Sequence, residues 1–425
     1  MDFANTAWVL FSAALVLLMT LPALAFFYGG LVKRKNILSI LMQCFMTLAV
    51  VSILWITVGY SLSFAPGLGG PNGVLAPFIG GFDWVMLKGI TPLSVSPYTI
   101  MQPQAPVAHI AFIVFQMMFA VITPALIIGA FAERMKFTTY VAFVILWSLL
   151  VYFPMTHWVW GADGWLSAAN PKAIFPVLDF AGGVVVHINA GLASLATAII
   201  IGKRKNLKPT PPHNLPFTVL GAGLLWFGWF GFNAGSSLAA DGLAANAFLV
   251  TNTSAAAAAI VWALLDTFFS KKPTLLGIST GAVAGLASIT PASGFVTMPS
   301  ALVIGIVASV ICYIFVVVIK NKLGYDDALD AFGVHGVGGI WGSFAAGIFA
   351  SPVIQPAYSG LVHGNMKQFL SQSAGIGICI VYAFVVTWII YMVLNRVAGV
   401  RVDDKQEAIG LDLTQHNERG YTIVE

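Results

Sequence analysis

Two stretches of this 425-residue chain set a histidine inside an apolar run, eight residues after an aspartate: Asp179-Phe-Ala-Gly-Gly-Val-Val-Val-His187 and Asp327-Ala-Leu-Asp-Ala-Phe-Gly-Val-His335. Imidazole titrates near neutrality, so a pair of them can relay a proton, accept one from a substrate or hold a small molecule in line. An ionisable group among apolar residues is expensive and reads first as functional. A lone histidine in such a helix also has a plainer role, a hydrogen bond that joins two helices. Two matching copies favour function. Two imidazoles alone make a poor zinc cage, and no third His, Cys or carboxylate joins them at helical spacing. Asp179 and Asp327 stand where helices start, so N-capping is their simplest task. For Asp179, attraction of a cation stays open beside it.

A second set of residues is aromatic. Trp158-Val-Trp160-Gly, Phe115-Gln-Met-Met-Phe119 and Trp226-Phe-Gly-Trp-Phe-Gly-Phe232-Asn-Ala-Gly-Ser236 each close or line an apolar run. Taken singly, each is most simply part of an interfacial aromatic belt. A cation bound without a carboxylate, however, needs aromatic faces and a hydroxyl acceptor. Trp160 and Ser236 supply both near one end of their runs.

The elements that must position these groups are membrane helices. Hydrophobic residues make up 59% of the chain and charged residues 8%, with a mean hydropathy of +0.89, where a soluble domain carries about 25% charged residues. Eleven apolar runs reach the length of about 17 residues that crosses a hydrocarbon core; the run at 274–291, rich in Gly and Ser, is the weakest. Seventeen of the twenty Lys and Arg residues fall on alternate connections and the tail, leaving Lys88, Lys172 and Lys367 on the other side. By the positive-inside rule this expects an outside N-terminus, a cytoplasmic C-terminus and an odd number of spans. The long connections 65–107, 157–176 and 351–372 all lie outside in that scheme, and their aromatic content favours a folded cap over loose linker. A formal charge of +4 is too small to suggest nucleic acid. Cys44, Cys312 and Cys379 sit in apolar runs and read as small buried hydrophobes. The N-terminus lacks the positive segment of a signal peptide, so the first run is expected to be a retained helix.

The aspartate–histidine motif lies on spans five and ten, which cross in opposite directions. A pattern recurring five spans later with reversed polarity marks an inverted repeat. Eight helical residues advance about 12 Å, which would bring both histidines near the middle of a core of about 30 Å. The expected fold is therefore an all-α polytopic membrane protein of eleven transmembrane helices. Residues 1–205 and 206–350 form two five-helix inverted repeats, 351–398 an outer loop with an extra eleventh helix, and 399–425 a cytoplasmic tail. Glycines at Gly231/Gly235, Gly277/Gly281/Gly285 and Gly338/Gly342 repeat at the spacing that lets membrane helices approach closely.

The whole chain resembles the ammonium transporter family (Amt/Mep/Rh). The resemblance rests on residues 179–191, Phe27-Tyr-Gly-Gly30, Gly231-Phe-Asn-Ala-Gly-Ser236, Ile289-Thr-Pro-Ala292, Phe332-Gly-Val-His-Gly-Val-Gly-Gly339 and the tail Gly410-Leu-Asp-Leu-Thr-Gln-His-Asn-Glu-Arg-Gly-Tyr421. It implies a homotrimer with one pore per subunit, and an outer ammonium site at Trp160, Ser236 and Phe119. It also implies a gate of Phe119 and Phe232, paired pore histidines His187 and His335, and a structural aspartate at Asp179. The outer aromatic set places the chain on the Amt side. For the tail, the resemblance implies docking across subunits and a regulatory role for Gly410, Asp412, Thr414, His416 and Tyr421, with Thr414 where some members are phosphorylated. A PII-type signalling protein is the implied partner at the cytoplasmic face. Asn417 departs from the tail motif, which often has glycine there.

The function these residues imply is ammonium or ammonia transport through the cell membrane, with no cofactor and no metal. The mechanism is capture as ammonium, deprotonation near the gate and passage of ammonia past the histidines; whether a proton follows stays open. The rival readings are an ammonium sensor signalling through its tail and a channel for a neutral gas or water. No nucleophile–base pair, phosphate loop or metal motif points to an enzyme.

Overall fold

The computed structural model describes residues 1–70, 72–98, 106–205 and 211–421. Lys208, the start of the expected second repeat at 206 and the last tail residues 422–425 lie outside the described residues. Among the described residues, ten helices are long and apolar enough to cross a membrane: α1 Phe3–Leu31, α2 Arg34–Phe64, α3 His109–Phe131, α4 Phe137–Trp160, α5 Gly183–Ile201, α6 Leu215–Ser237, α7 Gly242–Ser270, α9 Met298–Leu323, α10 Phe332–Phe349 and α11 Met366–Val397. Between them lies α8, Leu275–Ile289. Its 15 residues rise only about 22 Å, short of a full hydrocarbon core. Nearly every side chain of α8 from Gly281 onward is buried. A helix enclosed by protein need not match the lipid thickness, which is why this run gave the faintest signal. Two short helices follow α11: α12 Asp404–Ile409 and α13 Leu411–His416. The described residues contain no strand, only isolated bridges.

The connections sort onto two faces as the charges require. On the basic face, Arg204 ties the α5–α6 connection to Glu133 and Asp326 (3.0 and 2.8 Å), and Arg134 reaches Asp326 at 3.7 Å. The tail packs there too, with Glu407 accepting from Arg401 at 2.7 Å and from the Lys205 amide at 2.7 Å. Burial alone would raise the Asp326 carboxyl, but Arg204 and Arg134 hold it below the usual carboxylate range. On the opposite, loop face, Trp158 Nε1 donates to Phe78 O (2.8 Å), the Gly67 amide to Asp163 (2.9 Å) and Gln368 Nε2 to Pro176 O (3.1 Å). The three long connections thus fold together as a cap, among the described residues. The Asp2 amide donates to Pro106 O on this face, so the first helix and the tail start and finish on opposite sides.

Small residues set the interior spacing. The face Gly277, Gly281 and Gly285 of α8 meets Trp262, Ala258 and Ser254 of α7, and Gly231 of α6 meets Ser12 and Leu15 of α1. α5 and α10 also cross closely. A Cβ on Gly191 would run into the Cα of Gly336, and one on Gly339 would sit 2.8 Å from the Cβ of His187. This crossing is what brings the two histidine helices together.

Candidate functional site

Both histidine helices open in the same way. Asp179 precedes α5 and accepts four backbone N–H groups: Gly182 and Gly183 on Oδ1 (2.9 and 2.6 Å), Val184 and Val185 on Oδ2 (2.9 and 3.1 Å). Those are the orphan donors of a helix start, all answered by one side chain. Gly182 makes the turn possible, with φ +116°, a conformation that side chains rarely adopt. Asp327 repeats the device before α10, accepting from Ala331 (3.1 Å) and Phe332 (2.8 Å). The helices therefore begin at Gly183 and Phe332 rather than at the aspartates, and the eight-residue rise expected from the sequence does not apply. Each histidine lies in a first turn wound as a π-helix, Gly183–Ile188 and Phe332–Gly336. Such wide turns are rare and gather at functional sites.

The rings meet. His187 and His335 stack with centroids 5.3 Å apart and planes within 17°. Both ring nitrogens of His187 and Nδ1 of His335 are buried without a hydrogen-bond partner. Buried polar atoms are nearly always paired, so three orphans at one place mark a spot built for something other than packing. Neither histidine bonds a neighbouring helix, which removes the plain adhesive role.

From this pair a line of aromatic rings runs to the loop face. Phe232 lies 6.0 Å from His187, nearly parallel to it. Phe119 covers Phe232 at 4.3 Å, and Trp160 meets Phe119 edge-on at 5.9 Å. Phe119 and Phe232 are fully buried and lie between the histidines and the loop face. Beyond them lies a cavity of about 470 Å³ lined by Trp160, Ser236, Gln116, Asp179, Phe180 and Tyr358 among others. The Ser236 hydroxyl donates to Phe232 O at 2.9 Å, which leaves its lone pairs to accept from a ligand. Trp160 donates its indole N–H to Asp179 O at 2.8 Å, fixing its ring at the cavity wall. Asp179 lines this cavity too, but each carboxylate oxygen already takes two amides.

Between gate and histidines the free volume shrinks to about 10 Å³, walled by Ile122, Val186, Trp229, Phe232 and both histidines. That is at the lower limit for one water molecule. His335 also lines a second cavity, of about 350 Å³, which holds Tyr28, Arg204, Asp266 and Asp330 and lies toward the basic face. The path is thus wide, pinched, then wide again. Among the described residues no group of three or more His, Cys, Asp or Glu side chains is placed to hold a metal ion.

The tail residues stand apart from the path. Asp412 accepts from the Ser39 amide at 2.8 Å, at the start of α2, and the Leu411 amide donates to Asn36 at 2.8 Å. Burial pushes the Asp412 carboxyl up, and the amides at the head of α2 draw it partly back. Gly410, at φ +115°, has no room for a Cβ beside Lys35. Thr414 folds its hydroxyl back onto Gly410 O (2.8 Å), and His416 meets Phe137 edge-on. Tyr421 pairs with His213 Nε2 at 2.9 Å. Asn417 closes α13 at φ +55°, a left-handed position where Asn replaces Gly readily, so the departure from the motif is conformationally silent.

Sequence reasoning missed Trp229. It was one aromatic in a run that looked like a belt, yet it lies in the path, stacked on His187 at 5.4 Å. Its place three residues before Phe232 on one helix face was the signal available.

Fold and site together define a polytopic helical membrane protein in which two stacked histidines lie between a cavity at the loop face and one toward the basic face. The chain belongs to the Ammonium Transporter Family, whose model matches residues 7–421. It is 47% identical over 422 residues to an ammonium transporter of Bacillus subtilis, 99% of each chain. Among solved structures it is similar to Saccharomyces cerevisiae Mep2, with a TM-score of 0.84 and 34% identity, covering 96% of this chain and 89% of that one. It is likewise similar to a structure described as a sensor Amt protein, with a TM-score of 0.85 and 28% identity over 97% and 98% of the two chains.

Proposed function

We propose that the chain carries ammonium across a cell membrane, and that Trp160, Ser236 and Phe119 capture it, Phe119 and Phe232 gate it, and His187 and His335 line its passage. The observation that carries this reading is the unbroken series Trp160, Phe119, Phe232, His187, His335 with a cavity at each end. Ammonium resembles potassium in size and charge but donates hydrogen bonds. A hydroxyl acceptor and aromatic faces suit such a donor, while a buried phenyl gate opposes any hydrated ion. The pinched segment supplies no fixed charge, so ammonium gives its proton to an unpaired ring nitrogen of His187 just inside the gate and ammonia passes along the imidazoles. A purely sensing role needs no continuous path, which favours transport over the sensor reading. Relatives named as transporters support reading the protein as a transporter and not an enzyme.

The partition of Lys and Arg supports a cytoplasmic basic face, with the N-terminus outside and the tail inside. The matching caps and wide turns of α5 and α10 support residues 1–205 and 206–350 as inverted repeats, with 351–398 appended and 399–425 regulatory. A homotrimer, and a PII-type partner at the tail side, follow from the family resemblance. The test of the path is replacement of His187 and His335 together by leucine in purified protein reconstituted into liposomes. The reading expects ammonium flux to fall or its selectivity to change; unchanged flux and selectivity would remove the histidines from the path.

A further inference from the structure

The segment Ile289-Thr-Pro-Ala292 has no part in the scheme above, yet it touches the path twice. Thr290 is fully buried; its hydroxyl accepts from the Trp229 indole N–H at 2.8 Å and donates to Leu286 O at 2.8 Å. Pro291 packs against Gly183, where no Cβ fits, and its carbonyl accepts from the Phe180 amide at 3.1 Å. One short turn after α8 therefore grips both the start of α5 and the indole of α6.

That grip bears on His187. With no hydrogen bond on either ring nitrogen, its ring plane is left to its neighbours, and terminal ring torsions are soft. Trp229, Phe232 and His335 lie within 24°, 22° and 17° of that plane. Trp229 is the one of the three whose own orientation is pinned by a side-chain hydrogen bond, through Thr290. Helix α8 needs only the donor half of the Thr290 hydroxyl; the acceptor half serves Trp229.

We propose that Thr290 is a positioning residue of the transport path: its hydroxyl fixes the Trp229 indole, and the indole fixes the plane in which His187 faces His335. The proposal rests on the histidine-path reading. Without the acceptor, a buried indole N–H is left unpaired, and the ring turns to relieve it. The imidazole stack then loses its alignment while the capture site at Trp160 and Ser236 stays intact.

The experiment compares wild type, Thr290→Val and Thr290→Ser as purified full chains in liposomes, reading ammonium flux against concentration. Thr290→Val keeps the branched shape and lowers maximal flux on the order of tenfold, the loss that goes with about 1.4 kcal/mol on a barrier, with half-saturation unchanged. Thr290→Ser recovers most of that flux. Flux is normalised to folded protein, and the thermal unfolding midpoint is read beside it: a merely structural role would lower the midpoint and leave the flux per folded molecule unchanged. If Thr290→Val does not fold, Trp229→Phe decides: its phenyl ring has no N–H for Thr290 to hold, so maximal flux falls, and adding Thr290→Ala lowers it no further. Wild-type flux and selectivity in Thr290→Val, or in Trp229→Phe, would overturn the proposal. Absence of ammonium flux in the wild type would overturn the transport reading itself, and is distinguishable on that ground.

Discussion

At the scale of single residues, the proposed capture site makes separable demands. The Ser236 hydroxyl spends its proton on Phe232 O and has only acceptor capacity to offer. Ser236→Ala removes that acceptor for a charged donor, a loss on the order of tenfold in half-saturation at about 1.4 kcal/mol per decade. Trp160→Leu removes the aromatic face and raises half-saturation by a similar factor, since a desolvated cation–π contact contributes up to about 2 kcal/mol. Flux against ammonium concentration in liposomes reads both. A change confined to maximal flux would place these residues at the gate and not at the point of capture. The histidines were legible from sequence because a titratable group in an apolar run stands out. Trp229 was not, because an aromatic near a helix end looks alike whether it faces lipid, the interface or a lumen.

At the scale of helices, the start of α5 hangs on one carboxylate. Asp179 answers four amides at the head of the histidine helix, and loss of an N-cap costs up to about 2 kcal/mol. Asp179→Ala is therefore expected to lower the thermal unfolding midpoint in detergent and to abolish flux together. Asp179→Asn, which keeps an acceptor oxygen, is expected to retain part of both. An alanine variant with an unchanged midpoint and a raised half-saturation would mean that the carboxylate attracts cations and does little as a cap. The cap was legible from its position before the glycines. The π-turns that follow were not, and neither was the close contact of Gly191 with Gly336, which joins residues far apart in sequence. The spacing from aspartate to histidine overstated the helical rise between them because each aspartate caps a helix that begins only at Gly183 or Phe332.

At the scale of the whole molecule, charge did most of the folding inference. Among the described residues, Arg134, Lys136, Arg204, Lys205 and Arg401, which the charge pattern put on one side, meet where Glu133 and Asp326 interlock and the tail packs. The pairing partners themselves were beyond sequence, since each joins a different connection. Asp326 is held below the usual carboxylate range in the folded protein, so its contribution to stability is present above the unfolded value of about 3.9. It is lost as pH falls through the lower folded value. The unfolding midpoint is thus expected to drop on acidification below about pH 4, and Asp326→Asn to show a lower midpoint at neutral pH with a flatter acid limb. An acid limb identical in wild type and variant would assign the loss to other carboxylates.

The most direct test of the central claim is protein-dependent flux in liposomes holding the purified full chain, under matched gradients of ammonium and of potassium. The account predicts saturable ammonium flux with no potassium flux, and electrical current under the same gradient reports whether the proton crosses as well. No protein-dependent ammonium flux, or potassium carried as readily as ammonium, would contradict it.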